Sequence, residues 1–262
     1  MENKPLISII TIVYNGEEFL EETILSVVNQ SYENIEYIII DGGSTDGTVD
    51  IIKRYEDKIA YWISEPDRGV SDAFNKGLAV ARGDYIEMLN CGDYFLEDNL
   101  AILVEKYFHS EAVISFQAKT DTGNVFPKIF RKKSEINPTK INEALLNAMV
   151  SHQATFVSKE VYEEIGLYSL DFKLRMDFDL FLRIQKKYEI TFIELPIILY
   201  RTDGISSDIK NRVQFKLEEL SIVCKNYPVE CSRLYRVGFF FKLPLYLLKK
   251  LLSHFYYKYF KK

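Results

Sequence analysis

Apolar and polar positions along this chain alternate between two periods, that of a buried strand and that of an amphipathic helix. Apolar, β-branched runs are typical of strands covered on both faces, and apolar residues spaced three or four apart are typical of surface helices. The predicted strands are residues 6–14, 35–40, 59–63, 85–89, 112–117, 154–157 and 191–200. The predicted helices are residues 17–30, 48–55, 70–81, 99–108, 141–149, a short one from 159, 177–187 and 209–227. This alternation predicts an α/β fold in which helices flank a mostly parallel central sheet.

The end of the chain differs from the rest in charge. The formal net charge is −5, but residues 232–262 contain no aspartate or glutamate and carry +8, which leaves −13 on the remainder. A body this acidic argues against non-specific binding of nucleic acid. We therefore expect one domain over residues 1–227 and a basic, aromatic, amphipathic helical tail over residues 228–262.

The apolar residues of this tail fall in short runs between cations. Its longest uncharged run, residues 251–257, is far shorter than the roughly 20 residues that cross a bilayer. Aromatic residues among Lys and Arg predict a segment that lies on an anionic membrane surface, although a helix packed on the body through its apolar side gives the same pattern.

The start of the chain and its cysteines indicate the compartment. The first residues do not have the basic start and apolar stretch of a secretory signal. Cys91, Cys224 and Cys231 show neither metal-site nor disulfide spacing, which predicts reduced thiols in a cytoplasmic protein.

The segment IEYIIIDGGSTDGT, residues 35–48, predicts a buried strand that ends in Asp41, followed by a tight polar turn and a helix. Ligands of open α/β sheets bind at the carboxyl ends of the strands, so Asp41 is a candidate binding residue. The alternative is a turn aspartate that satisfies local N–H groups. Tyr14, at the tip of the first strand, could stack on a base or pack in the core. The sequence TIVYNGEEF at this tip is not a G-x-G-x-x-G turn, which argues against a dinucleotide site.

The segment around residue 75 predicts a polar helical face. Asp72, Asn75 and Lys76 are spaced i, i+3 and i+4, so they share one side of the predicted helix. That side could meet ribose or phosphate, or it could be an ordinary solvated face.

The strand at residues 85–89 delivers Asn90, Cys91 and Asp93 to the same edge of the sheet. A carboxylate at this place suits Mg²⁺ or Mn²⁺, which take oxygen ligands and bridge phosphates. A single aspartate is weak evidence for such a site.

These motifs together resemble family 2 glycosyltransferases of the A-type nucleotide-sugar fold, especially the bacterial members that assemble O-antigen, capsule and exopolysaccharide. The resemblance covers about residues 7–207. It rests on SIITIVYNG, DGGSTDGT, EPDRGVSDAFNKG, LNCGD, SHQATFVSKEVYEEIG, and RMDFDLFLRI followed by YRTDGISS. It implies that residues 1–227 are a nucleotide-sugar-binding catalytic domain.

The resemblance also implies roles for individual residues. Asp177 would be the general base that deprotonates the acceptor hydroxyl, so that a single displacement inverts the anomeric centre. Asp93, next to the position of the family's metal-binding aspartate, could serve instead as a ligand of Mn²⁺ or Mg²⁺, and His152 and Gln153 would line the acceptor side. The donor would be bound by Ile12, Tyr14, Asp41, Asp72, Asn75, Lys76, Asn90, Cys91 and Arg201.

Two positions depart from the family pattern. Gly92 stands where the family usually has its metal-binding aspartate, so metal dependence is an open question. Met176 stands where the residue before the base is often Glu. Asp179 is the alternative base, although on a helix it faces away from Asp177.

The sequence thus predicts an inverting enzyme that moves a sugar, most simply from a UDP-sugar, to a lipid-linked saccharide at the inner face of the plasma membrane. A sugar nucleotidyltransferase is one alternative, but the Gly-rich, Lys/Arg-bearing loop expected near its N-terminus is absent. A non-catalytic nucleotide-sugar-binding subunit is another, and it would explain the altered metal motif.

Overall fold

The computed structural model describes residues 4–109, 111–127, 150–202 and 211–226. The strands are β1 (Ile7–Val13), β2 (Ile35–Asp41), β3 (Tyr61–Ser64), β4 (Tyr85–Met88), β5 (Tyr94–Phe95), β6 (Val113–Thr120), β7 (Val125–Phe126), β8 (Thr155–Ser158) and β9 (Thr191–Tyr200). The α-helices are α1 (Leu20–Val28), α2 (Thr48–Arg54), α3 (Val70–Val80), α4 (Leu100–Tyr107), α5 (Lys159–Ile165), α6 (Met176–Lys187) and α7 (Arg212–Asn226). Short 3₁₀ helices occupy Glu56–Lys58 and His152–Ala154.

One sheet contains the nine strands of the described residues, in the order β3-β2-β1-β4-β8-β6-β9-β5, with β7 paired to β6. The half made of β3, β2, β1 and β4 is parallel throughout. In the other half β8 runs antiparallel to both of its neighbours, β4 and β6, whereas β6 and β9 are parallel. The α/β fold class is confirmed, with a sheet that is parallel on one side and mixed on the other.

The apolar pattern explains why β2 lies inside the sheet. Ile38, Ile39 and Ile40 are all fully buried because β1 and β3 flank the strand and helices cover it. Leu20 and Ile24 of α1 belong to the same apolar cluster as Ile39. The burial of this strand fixes the position of its last residue, Asp41, at the carboxyl edge.

Most predicted elements agree with the structure to within a few residues, because each has a sustained strand or helix period. The two-residue strands β5 and β7 were not predicted. They are defined by their pairing with β9 and β6 rather than by any local pattern. The helix predicted at residues 141–149 lies outside the described residues.

The chain divides into two compact units, residues 1–202 and 203–262. The described part of the second unit is α7, where Cys224 is disulfide-bonded. This corrects the expectation of three reduced thiols, although Cys91 is free. The predicted tail, residues 228–262, lies outside the described residues, and its boundary at residue 227 stays a prediction. Among the helices that the structure describes, none has the length and apolarity needed to cross a bilayer.

Candidate active site

The carboxyl ends of three neighbouring parallel strands form one edge of the sheet. Val13 at the end of β1 pairs with Asp41 at the end of β2, and the Gly42 N–H donates to the Val13 carbonyl at 2.9 Å. After β4, the Cys91 N–H donates to the Ile12 carbonyl at 3.2 Å. These bonds bring the residues after β1, β2 and β4 together, as predicted, and Ile12 contributes through its backbone.

Asp41 is completely buried and accepts hydrogen bonds from its own turn and from β3. The Ser44 N–H donates to Oδ2 at 3.0 Å, the Ser64 hydroxyl donates to the same oxygen at 2.5 Å, and the Ser44 hydroxyl donates to Oδ1. Asp41 therefore makes the local hydrogen bonds that are expected of a turn aspartate. A carboxylate has about four acceptor sites, so one remains at Asp41, but it is closed off from solvent in this structure, and a ligand N–H reaches it only if the turn moves.

The first strand tip presents an aromatic ring to solvent, since Tyr14 is 64% exposed. Packing in the core, one of the two predicted roles, is therefore wrong for Tyr14. A Cβ at Gly42 would lie 2.5 Å from Asp67 Oδ2 and 3.4 Å from Tyr14 Cδ2, so a side chain there would crowd both. Asp67, which stands in the EPDRG motif, borders this turn and was not among the predicted site residues.

Asp72 and Lys76 of α3 hold the loop that borders this turn. The Arg68 guanidinium donates to Asp72 Oδ1 at 2.8 Å, and this bond holds the pKa of the Asp72 carboxyl below its usual range. Lys76 Nζ lies 2.7 Å from Glu65 Oε1 and donates to the Pro66 carbonyl at 3.1 Å. Both side chains shape residues 65–68, and their contact with the donor stays a prediction.

Asn75 lies against a different part of the chain. Its Nδ2 donates to the Tyr168 carbonyl at 2.9 Å, and its Oδ1 accepts from the Tyr168 N–H at 3.0 Å. The predicted common face of α3 therefore divides, because Asn75 contacts the segment between α5 and α6 rather than the loop held by Asp72 and Lys76.

The turn after β4 buries its carboxylate. Asp93 is 3% exposed and accepts hydrogen bonds from the Arg201 N–H at 3.0 Å, from Asn90 Nδ2 at 3.3 Å and from the Gln153 side chain. Burial raises the pKa of Asp93 to about 7. Burial also raises the pKa of the Cys91 thiol to about 12, so this side chain is neutral at physiological pH.

Gly92 lies in the left-handed region, with φ of 94°, and Arg201 lies over it. A Cβ at this position would be 3.1 Å from Arg201 Cδ and 3.6 Å from Phe19 Cβ. The Arg201 guanidinium stacks on the Phe19 ring, 4.0 Å from its centroid. The place where the family usually has a metal-binding aspartate is therefore bordered by the stem of an arginine.

The surroundings of Gly92 and Asp93 offer few ligands to the expected divalent cation. Within the parts of the chain that are described, there is no group of three or more His, Cys, Asp and Glu side chains that could hold a metal ion. The Asp93 carboxylate already accepts from three donors, and Gly92 supplies no oxygen side chain. The residues present do not fit a cation held by the protein alone, and Asp93 as a metal ligand stays a prediction.

The two candidate bases on α6 have different surroundings. Asp177 is partly exposed in the first turn, where the helix N-terminus favours a carboxylate, and its Oδ1 accepts from the Phe178 N–H at 2.7 Å. Asp179 is 1% exposed, and its Oδ2 lies 2.9 Å from Arg183 Nε. Asp179 is closed off from solvent, which leaves Asp177 as the accessible one of the two candidates, and its role as a base stays a prediction.

His152 and Gln153 join the two parts of the site. His152 Nε2 and the Tyr168 hydroxyl share a hydrogen bond of 2.6 Å, and the Asp177 charge acts on the same imidazole. Burial lowers the pKa of His152 to about 4, so the ring is neutral near pH 7. Gln153 bonds to Asp93. The contact of either residue with an acceptor stays a prediction.

Comparisons with known proteins identify the family of this chain. The family model described as Glycosyl transferase family 2 matches residues 8–166. The uncharacterized glycosyltransferase Rv1514c of Mycobacterium tuberculosis is 31% identical over 238 residues, which cover 87% of this chain and 87% of that protein. The putative teichuronic acid biosynthesis glycosyltransferase TuaG of Bacillus subtilis is 30% identical over 190 residues, 70% of this chain and 73% of that protein.

Solved structures share the fold. S. aureus TarS 1–349 in complex with UDP-GlcNAc superposes with a TM-score of 0.69 at 16% identity, over 96% of this chain and 81% of that one. The mannosyltransferase PcManGT from Pyrobaculum calidifontis, in complex with GDP-Man and Mn²⁺, gives a TM-score of 0.61 at 16% identity, over 97% of this chain and 70% of that one. From the family match and the sequence relatives, the chain belongs to glycosyltransferase family 2 and is a glycosyltransferase.

Proposed function

We propose that this enzyme transfers a sugar, with inversion, from a UDP-sugar to a hydroxyl of a lipid-linked glycan in the synthesis of a bacterial surface polysaccharide. One observation carries the proposal. The carboxyl ends of β1, β2 and β4 place Tyr14, Asp41 and Asp93 at one edge of the sheet, and His152 and Gln153 connect that edge to Asp177.

The donor nucleotide would bind at the first two strand tips. The exposed Tyr14 ring offers a stacking surface, and Asp41 offers an acceptor for an N–H of the base. The UDP-GlcNAc complex of a neighbour with the same fold supports a UDP-sugar as the donor. The teichuronic acid relative supports a role in polysaccharide synthesis.

The diphosphate would lie near Gly92, where Arg201 supplies positive charge. Arg201 is oriented by its stack on Phe19, and its N–H bonds to Asp93. A guanidinium held in place stabilises the charge that develops on a leaving diphosphate without reorganising during the reaction. We assign this role to Arg201, and no step of the proposal passes through a metal.

Asp177 would act on the acceptor. A sugar hydroxyl is a weak nucleophile at neutral pH, so a carboxylate within hydrogen-bond reach accelerates its attack. The hydroxyl oxygen bonds to the anomeric carbon, its proton passes to Asp177, and the bond from that carbon to the diphosphate breaks. One such displacement inverts the anomeric centre and releases UDP.

The donor site is tested by calorimetric titration of UDP, GDP and dTDP, each with and without Mn²⁺. We expect UDP to bind, and Asp41→Ala to weaken that binding about tenfold or more because a buried acceptor is lost. Preference for GDP or dTDP would overturn the donor assignment. Dependence of UDP binding on Mn²⁺ would support Asp93 as a ligand and would contradict a diphosphate site built on Arg201 alone.

The positive charge of the tail is the reason for proposing a lipid-linked acceptor. Eight cations and no acidic residues over residues 232–262 suit the anionic inner face of a plasma membrane, where we place the enzyme as a peripheral protein. Deleting residues 228–262 should release the protein from vesicles that contain anionic lipid in a sedimentation assay. Unchanged sedimentation of the truncated protein would show that the tail is not the anchor.

A further inference from the structure

We propose that Asn75 of α3 is a positioning residue for the catalytic base: it holds the segment that leads into α6 and so sets the place of Asp177. The segment is residues 166–175, here named the α5–α6 connection. The inference rests on the proposed role of Asp177, and it differs from the donor-binding role that the sequence predicts for Asn75.

The Asn75 amide pairs with the backbone of the connection at one residue. Its Nδ2 donates to the Tyr168 carbonyl at 2.9 Å, and its Oδ1 accepts from the Tyr168 N–H at 3.0 Å. An amide side chain that both donates to and accepts from one residue fixes that residue in distance and orientation, which a single bond does not. Tyr168 itself is buried.

Two other residues of α3 hold the same connection. The Ser71 hydroxyl donates to the Phe172 carbonyl at 3.1 Å. The Phe74 ring stacks on Tyr168 with 5.2 Å between centroids, and it meets the His152 ring edge-on at 5.1 Å. Ser71, Phe74 and Asn75 are spaced i, i+3 and i+4, so one face of α3 makes all of these contacts.

Helix α6, which carries Asp177, also contacts the start of the α5–α6 connection. Arg183 of α6 donates to the Ile165 carbonyl at 2.8 Å and to the Leu167 carbonyl at 2.9 Å, and Asp179 orients its guanidinium. The connection is thus tied to α3 at Tyr168 and Phe172 and to α6 at its start. Phe172 precedes the first residue of α6 by four positions, so little chain is left to move Asp177 independently.

The Tyr168 hydroxyl is within the electrostatic reach of the proposed base. It shares hydrogen bonds with His152 and with Tyr162, and the Asp177 charge acts on both His152 and Tyr168. A shift of Tyr168 therefore changes the position of Asp177 and also its surroundings. The loop at residues 65–68, which borders the turn after β2, is held by other α3 residues, Asp72 and Lys76, so it stays in place when Asn75 is lost.

The test compares Asn75→Ala with Ala79→Ser, a change at an exposed position of the same helix. We expect Asn75→Ala to lower kcat about tenfold to a hundredfold, the size of effect that a displaced catalytic group produces, with the Kd for UDP within about twofold of the wild-type value. A raised Kd with an unchanged kcat would overturn the inference and restore the donor-binding role.

The same substitution made in the Asp177→Asn variant distinguishes the positioning role of Asn75 from the role proposed for Asp177. In Asp177→Asn the residual rate should change less than about twofold when Asn75→Ala is added, because a positioning residue acts through the group that it positions. Full additivity of the two losses would contradict it. Wild-type kcat in Asp177→Asn alone would instead remove the proposed base, whatever Asn75→Ala does.

A milder substitution tests the inference even if the Asn75→Ala protein does not fold. Ser71→Ala removes one hydrogen bond to the connection and leaves the Asn75 pair intact. It should lower kcat in the same direction as Asn75→Ala but less, again without loss of UDP binding. A Ser71→Ala enzyme with wild-type kcat, together with an Asn75→Ala protein that does not fold, would count against the inference.

Discussion

His152 loses its proton affinity because it is buried in an aromatic cluster with Phe74, Tyr168 and Phe181. Its pKa falls from 6.5 to about 4 on folding. Between these values the unfolded chain binds more protons than the folded one, so the folded state loses stability as the pH falls through this window. From the size of the shift, His152 contributes a loss of about 2 kcal/mol between pH 7.5 and pH 5. The raised pKa of Asp93 acts in the opposite direction over this range, so the His152 contribution is measured as the difference in urea unfolding between the wild type and His152→Gln.

The control for this pH dependence is His152→Gln. Glutamine keeps a hydrogen-bonding partner for the Tyr168 hydroxyl and does not titrate. The variant should be less stable than the wild type at pH 7.5, since it does not reproduce the ring contacts, but its stability should fall less between pH 7.5 and pH 5. The same slope in both proteins would mean that His152 is not the group responsible.

Gly92 is required by its backbone and by its neighbours. Gly123 has a similar φ, 84°, and open space around it, whereas Gly92, at 94°, has Arg201 and Phe19 close to where a Cβ would be. Gly123→Ala should cost about 1 kcal/mol for backbone strain alone. Gly92→Ala should cost about 1 kcal/mol more because Arg201 must shift. Equal losses in thermal unfolding would show that Arg201 does not crowd this position.

The position of a residue at the end of a strand or on a helix was easier to predict than the residues that it contacts. The position of Asp41 at a strand tip follows from a buried run that ends in a turn, and the structure confirms that position. The pairing of Asn75 with Tyr168 joins residues 93 positions apart. No local period encodes such a contact, so the sequence did not show that Asn75, alone of the three residues assigned to a donor-binding face of α3, contacts the α5–α6 connection.

At the scale of elements, α6 places two aspartates, which are two positions apart in the sequence, in different surroundings. Asp179→Asn removes the ion pair to Arg183 inside the protein and should lower the free energy of unfolding by about 1 to 3 kcal/mol. Asp177→Asn changes a partly exposed group at the helix start and should cost less than about 1 kcal/mol. Denaturant midpoints measured side by side test this, and the reverse order of the two losses would contradict the structure.

The long elements were predictable because their patterns repeat over several turns or pairs. The predicted strand at residues 191–200 coincides with β9, and the predicted helix at residues 70–81 differs from α3 by one residue at its end. Strands of two residues cannot show a period, and β5 and β7 exist through pairing with distant chain.

For the whole molecule, the sequence indicates the parallel half of the sheet but not the mixed half. Alternation of strands and helices predicts parallel neighbours, and β3, β2, β1 and β4 follow that rule. The antiparallel insertion of β8 between β4 and β6 depends on tertiary packing. This insertion puts His152 and Gln153, just before β8, next to the turn after β4, which completes the site.

The central claim is that Asp177 is the base of a sugar transfer from a nucleotide donor bound at the strand tips. The most direct measurement is the kcat of Asp177→Asn with a UDP-sugar and acceptor, beside the Kd of the same variant for UDP. The account predicts that kcat falls about a hundredfold to ten-thousandfold, the usual contribution of a general base, while UDP binding is retained. A wild-type kcat, or a loss of UDP binding as large as the loss of turnover, would contradict it.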